Sequence, residues 1–345
     1  MSAQELVVLG EVMLRLDPRE ERIRSARRFE VSEGGGEYNV GRAVRTVFGV
    51  PVRLLTAWVD NPVGRLLESL VLASGVDTRD VIWRDPAVPG VRNGLNFTER
   101  GFGVRAPVGV SDREFSAAAQ LGRTDFDWPA VFAPGRTAWF HTGGIFAGLS
   151  PDTAALTLDG LDAARQAGVV TSVDLNHRPS IFRDDVDGAR AGSTFEALVR
   201  RADVVFAGVA DLTGRLGLGT GTDGSFPALA TQLLDKFPEV RTVVASDRRV
   251  RSASRHEWRV LGLDRDKGVL GSRDYDLEVL DRIGGGDAMA AGVIATLLRG
   301  GDPQDAIECG AAAGALAMTT PGDQLVADAA EVARVASGTP PVAVR

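Results

Sequence analysis

Residues 138–178, AWFHTGGIFAGLSPDTAALTLDGLDAARQAGVVTSVDLNHR, hold two short apolar runs separated by a segment of helical spacing. The runs Ala138 to His141 and Val169 to Val173 are too short for helices and read as buried strands. Between them Ala154, Leu158, Leu161 and the Ala164–Arg165 step mark one face of a helix. Strand, helix and strand in such close succession are the unit of a parallel sheet covered by helices. Outward from this unit, Leu6 to Leu9, Val52 to Ala57, Val204 to Phe206 and Thr242 to Ala245 read as further strands. Val40, Ala43, Val44 and Val47 mark another helix by i, i+3, i+4, i+7 spacing. The expected fold is a doubly wound α/β chain with a mostly parallel sheet.

Two stretches interrupt this rhythm. Residues 12–33 and 91–110 are rich in Arg, Glu and Gly, contain short β-like pieces such as Asn93 to Thr98, and show no helical face. Insertions of this kind in an α/β enzyme commonly cover the mouth of the sheet, so a small β lid is expected. Gly214 to Phe226, rich in glycine and poor in apolar residues, is expected to be a mobile loop. Residues 1–338 are expected to form a single domain, with the tail 339–345 frayed.

Composition excludes several function classes. The chain has 345 residues, 44% apolar and 25% charged, which fits a compact soluble protein. A net charge of −7 and a pI near 5.2 repel phosphate backbones, so nucleic acid is not an expected partner. The N-terminal MSAQELVVLGEVM lacks the basic region and long apolar core of a signal peptide, and no segment approaches a membrane span. The single cysteine, Cys309, has no partner for an internal disulfide and sits in an Ala/Gly-rich helical run, where it reads as a small buried hydrophobe. These features point to the cytoplasm.

Three clusters can carry chemistry. Asp281-Arg282-Ile283-Gly284-Gly285-Gly286-Asp287-Ala288-Met289 leads into the helical run Ala290 to Leu298. Three glycines before a helix N-terminus turn backbone N–H groups toward a phosphoryl group and form an anion hole. Asp287, in the first turn, can take a proton from a substrate hydroxyl, or can serve only as a helix-stabilising acid. Gly34-Gly35-Gly36-Glu37-Tyr38-Asn39 also opens a helix; Asn39 there can both donate and accept hydrogen bonds to a polyol, although such a cluster is often structural. Asp174-Leu175-Asn176-His177-Arg178 lies at the C-terminal end of a strand, where open α/β sheets bind ligands. Arg178 can clamp a phosphate or carboxylate, or pair with a nearby acid. The three histidines, His141, His177 and His256, show no metal-ligand spacing, and neither a Walker loop nor a Gly-x-Ser-x-Gly elbow occurs.

Taken in order, these elements resemble the ribokinase or PfkB carbohydrate kinase family from about Leu6 to Val335. The form Gly34-Gly35-x-Glu37-x-Asn39, together with Gly10-Glu11, Gly143-Gly144-Ile145 and Asp174-x-Asn176-x-Arg178, is most similar to 2-keto-3-deoxygluconate kinases. The family's Asp-x-x-Gly-Ala-Gly-Asp-Ala signature stands as Asp281 to Ala288, with Gly285 in place of Ala. The resemblance implies a ribokinase-like fold, Asp287 as the catalytic base, and Gly284, Gly285 and Gly286 as the anion hole. It places Gly35, Asn39, Asn96, Arg113, Arg178 and Asp323 on the substrate side. ATP with Mg²⁺ is the implied donor, the acceptor is a small sugar or sugar acid, and the lid is implied to pair two subunits into a homodimer.

The departures lie on the donor side. Where relatives carry Lys-x-Gly-x-x-Gly, this chain has Ser246-Asp247-Arg248-Arg249-Val250-Arg251, so that loop must fold differently. Arg248, Arg249 and Arg251 are candidates to hold phosphates in its place, since guanidinium groups bind phosphate bidentately. The family's Asn-x-x-Glu element, which helps organise Mg²⁺, appears as Gly208-Val209-Ala210-Asp211, leaving Asp211 as its carboxylate. A tyrosine expected two residues before Arg113 is Ser111. The expected activity is phosphoryl transfer from ATP to a 2-keto-3-deoxygluconate-like acid, with fructose or another ketose as the alternative acceptor. Two other classes compete: a degenerate kinase that only binds sugar or nucleotide, and a nicotinamide-dependent oxidoreductase, which lacks its phosphate fingerprint.

Overall fold

Strand β1 (Glu5–Leu9) enters the main sheet, and β2 (Met13–Asp17) and β3 (Glu30–Gly34) leave it. Helix α1 (Gly36–Thr46) and β4 (Val52–Leu55) make the first crossover, followed by β5 (Ala57–Val59), α2 (Pro62–Ala73), β6 (Ile82–Arg84), β7 (Leu95–Glu99) and β8 (Val108–Asp112). Strands and helices then alternate: α3 (Trp128–Val131), β9 (Thr137–Gly143), α4 (Gly144–Ala147), α5 (Pro151–Gln166), β10 (Val170–Asp174), α6 (Ala189–Val199), β11 (Val204–Phe206), α7 (Val209–Gly214) and α8 (Phe226–Lys236). Four strands follow, β12 (Thr242–Ser252), β13 (Arg255–Asp264), β14 (Gly268–Gly271) and β15 (Tyr275–Glu278). Helices α9 (Gly285–Leu298), α10 (Pro303–Ala317) and α11 (Ala329–Ala336) close the chain. The computed structural model describes residues 4–182, 185 and 188–339, so the expected frayed tail lies almost wholly outside the described residues.

Six strands run parallel in the order β12-β11-β10-β9-β1-β4, and antiparallel β13 extends the sheet, pairing with both β14 and β15. Helices cover both faces, which is why the strands read as unbroken apolar runs. In β1, Leu6 and Val8 join the core under α1, α9 and α10, while Val7 and Leu9 join the opposite core under α5, α6 and α8. The doubly wound α/β reading therefore holds. In α5 the buried stripe is Leu156, Gly160, Leu161 and Ala164, whereas Ala154 and Leu158 are only half-buried. Cys309 lies half-buried on α10, and burial pushes its thiol pKa up.

One strand is longer than its apolar run suggests. Strand β12 does not stop at Ala245 but continues to Ser252, paired throughout with β13. Its outer half alternates charged residues with residues facing the opposite way, and such a stretch carries no apolar signature. Residues 215–225 form turns between α7 and α8.

The two irregular stretches pair into a second sheet of order β3-β2-β7-β8, with strands reaching slightly past the expected ends, to Gly34 and Asp112. Strand β8 is its free edge and is exposed along its whole length. Around β1 the sheet order reverses, with β4 on one side and β9 on the other. A crevice opens beyond the strand ends at such a switch point, and this is where ligands bind in open α/β sheets. No helix among the described residues is long and apolar enough to cross a membrane.

Candidate active site

The crevice is a cleft of about 750 Å³. One wall is the second sheet, through Met13, Arg15, Asn96, Thr98 and Ser111. The opposite wall is the set of strand ends from Asp174, Phe206 and Ala245, and the floor is the loop Arg282 to Asp287. Gly284 is the N-cap of α9 with φ of +79°, and an added Cβ would run into the Asp323 carbonyl, so glycine is required there on both counts. The first-turn N–H groups of α9 are thereby left free to meet an anion.

Asp287 sits in that first turn and is held from above. The Asn39 amide on α1 donates to Asp287 Oδ2 at 2.8 Å and to Asp323 Oδ2 at 3.3 Å, so one side chain bridges both acids. Desolvation, opposed by the Asn39 bond and reinforced by Asp323, pushes the Asp287 carboxyl up to about 7. Beneath it, burial pushes Glu37 up to about 7 and Asp174 well above the usual carboxylate range.

A second bridge lies on the far side of the loop. Arg15, from β2, is 1% exposed; its Nη2 donates to Asp281 at 2.6 Å, and its Nη1 lies 3.4 Å from Asp323, with Asp17 at 3.7 Å. Burial works against its charge, but Asp323, Asp281 and Asp17 together hold its pKa above the ordinary value. Asp281, Arg15, Asp323, Asn39 and Asp287 thus form one polar chain that clasps the anion-hole loop. Arg15 was not among the residues picked out from sequence, because its role rests on partners 266 and more residues away.

The other substrate-side candidates fall along the same cleft. Gly35 lines it, and its N–H lies 3.4 Å from Asn39 Oδ1. Asn96 Oδ1 accepts from Ser111 at 3.1 Å, with the Asn96 amide 3.3 Å from Thr98. Arg178 is exposed at the cleft mouth and, among the described residues, bonds to the neighbouring His177 carbonyl. Arg113 differs from expectation: it lines the cleft, but its guanidinium already grips buried Glu11 through Nε at 2.8 Å and Nη2 at 2.7 Å. Asn176 holds φ of +37°, a strained conformation of the kind that clusters at functional sites.

Comparison with known proteins places this architecture. The model for the pfkB family carbohydrate kinases matches residues 264–330. The chain is 32% identical over 335 residues, 97% of each chain, to a 2-dehydro-3-deoxygalactonokinase of Haloferax volcanii. It belongs to the pfkB family. A 2-dehydro-3-deoxygluconokinase from Thermotoga maritima superposes with a TM-score of 0.87 at 30% identity, covering 97% of this chain and all of that one. A fructokinase with bound ATP from Xylella fastidiosa, with a TM-score of 0.76 at 21% identity over 97% and 99% of the two chains, shares the fold. The protein is therefore a sugar kinase, a phosphotransferase with an alcohol group as acceptor.

The expected arginine trio is divided between two faces of one hairpin. In the β12–β13 hairpin Arg248 pairs with Trp258 and Val250 with His256, while Asp247 pairs with Arg259 and Arg249 with Glu257. Side chains alternate between faces along a strand. Arg248 and Trp258 line the cleft, whereas Arg249 and Arg251 share the outer face, where Arg251 pairs with Glu257. Arg282, quoted in the signature but assigned no role, lines the cleft instead. Asp211 also lines it; burial raises its pKa, and its carboxylate accepts from the Gly208 N–H at 3.4 Å.

Removing one member of a buried ion cluster leaves the others unpaired. Arg15→Met should therefore lower unfolding stability by about 3–5 kcal/mol in urea titrations, with Arg15→Lys recovering part of the loss. An unchanged midpoint would show that the clasp contributes nothing to the fold.

Proposed function

We propose that this kinase phosphorylates a 2-keto-3-deoxy sugar acid, with ATP as donor and Asp287 as the general base. The observation that carries the reading is the placement of Asp287: a carboxyl tuned near neutrality and fixed by Asn39, one turn from the N–H groups of Gly284 to Gly286. The substrate hydroxyl attacks the terminal phosphorus and gives its proton to Asp287, while the bond to the departing diphosphate breaks. The anion hole stabilises charge on the transferring oxygens.

The substrate class rests on the similarity to kinases named for 2-dehydro-3-deoxy acids and on Arg178, a cation at the cleft mouth with no acid bonded to it among the described residues. Asn96, Ser111 and Asn39 offer amides and a hydroxyl to the polyol part. With Arg113 occupied by Glu11, Arg178 is the group that meets the substrate carboxylate. Asp211 and Asp174 lie on the cleft wall, and no group of three metal ligands occurs among the described residues. That set suits Mg²⁺ carried in on the donor's phosphates and retaining several waters, where it would neutralise phosphate charge.

Two measurements bear on this. With a panel of 2-keto-3-deoxy acids and neutral ketoses assayed for ADP release, Asp287→Asn should cut kcat on the order of 10²–10⁴-fold with KM little changed. Activity within a few-fold of wild type would reduce Asp287 to a helix cap. Arg178→Ala should raise KM for the acid by roughly 10-fold or more and barely touch a ketose, a charge-assisted contact being worth about 1.5–3 kcal/mol. Equal losses on both would remove the carboxylate role.

A further inference from the structure

The inner face of the β12–β13 hairpin presents Arg248, Trp258, Val250 and His256 in register. Arg248 and Arg282 are both exposed and both line the cleft, one from the hairpin and one from the start of the anion-hole loop. Neither forms an ion pair with any acid among the described residues. The contrast with the outer face is sharp, since Arg251 and Arg259 there each hold a carboxylate.

Every charged neighbour that acts on Arg248 is another cation. Its pKa is lowered by desolvation first, then by Arg282 and by Arg178. His256, 1% exposed, faces Val250 across the hairpin, and neither ring nitrogen has a hydrogen-bond partner among the described residues. Burial, Arg248 and Arg282 together lower the pKa of that ring. Arginines that repel one another across a cleft cost free energy, and an anion seated between them reduces that cost.

We propose that Arg248 and Arg282 form the receptor for the donor's phosphate chain. The inference rests on the kinase reading above and names the groups of this chain that would take its donor. Two planar forks lining one cleft from separate elements suit the several non-bridging oxygens of a di- or triphosphate, which a single point charge does not. Arg249 and Arg251, candidates for the same task by their clustering in sequence, lie on the outer face and play no part in it.

Calorimetry with three probes tests this on the whole chain: a non-hydrolysable ATP analogue, inorganic triphosphate and adenosine, each with Mg²⁺. Arg248→Gln and Arg282→Gln should each weaken the ATP analogue and triphosphate by roughly 10- to 100-fold, with adenosine unchanged. Arg249→Gln and Arg251→Gln should stay within two-fold, and thermal melts should confirm that all four variants fold. Affinities within two-fold of wild type in both Arg248→Gln and Arg282→Gln would overturn the proposal, as would a wild-type chain that binds neither phosphate probe. The outcomes separate from the kinase reading. Full sugar-acid turnover with both arginines dispensable sinks the receptor alone; triphosphate binding through the two arginines without turnover of any sugar acid sinks the kinase reading alone.

Discussion

A buried guanidinium between three acids is the constraint on which the site depends. Arg15 reaches from the second sheet to Asp281 and Asp323, which flank the glycine loop at either end of its approach. Neither acid tolerates such burial unpaired, so the second sheet, the loop and the C-terminal segment around Asp323 are ordered together. The Nε and Nη1 groups of Arg15 and Oδ1 of Asp323 lack hydrogen-bond partners, which leaves the clasp incompletely satisfied and open to adjustment. Arg15 thus ties the second sheet to the anion-hole loop, alongside Gln324, whose amide donates to the Glu33 carbonyl of β3.

Asn39 carries the same constraint to the reacting atom. Its amide holds two carboxylates at once, and this arrangement is stable because desolvation has already raised the proton affinity of Asp287. A base poised near neutrality combines correct protonation with proton affinity at working pH. The acids around it have separate duties: Asp323 is a counter-charge to Arg15, Asp211 caps α7, and Glu37 lies buried below the floor.

Much of this was legible in the residues, for physical reasons. Apolar runs such as Val204 to Phe206 are buried on both faces, so composition alone marks them as strands. The glycine loop and Asp287 stand out because an anion hole needs glycine where a Cβ would meet the Asp323 carbonyl. The second half of β12 was hidden, since its outward Asp247, Arg249 and Arg251 mask the inward Arg248 and Val250 as a charge run. Arg15 was hidden too: one arginine in Met-Leu-Arg-Leu-Asp reads as an exposed alternation until distant acids are folded around it. Arg113 looked free for the same reason, its Glu11 partner being 102 residues away.

The central claim is that Asp287, raised by burial and restrained by Asn39, is the base. The pH dependence of kcat/KM for a 2-keto-3-deoxy acid tests it most directly, because that ratio reports the free enzyme's titrating groups. The carboxylate form is the active one, so kcat/KM should rise with pH through an apparent pKa of about 7. Glu37 titrates in the same range, so the profile must be taken on Glu37→Gln as well. A limb near pH 7 that persists in Glu37→Gln is the predicted result. A profile that is flat from about pH 5.5 to 8, or a limb that vanishes with Glu37→Gln, would contradict the account.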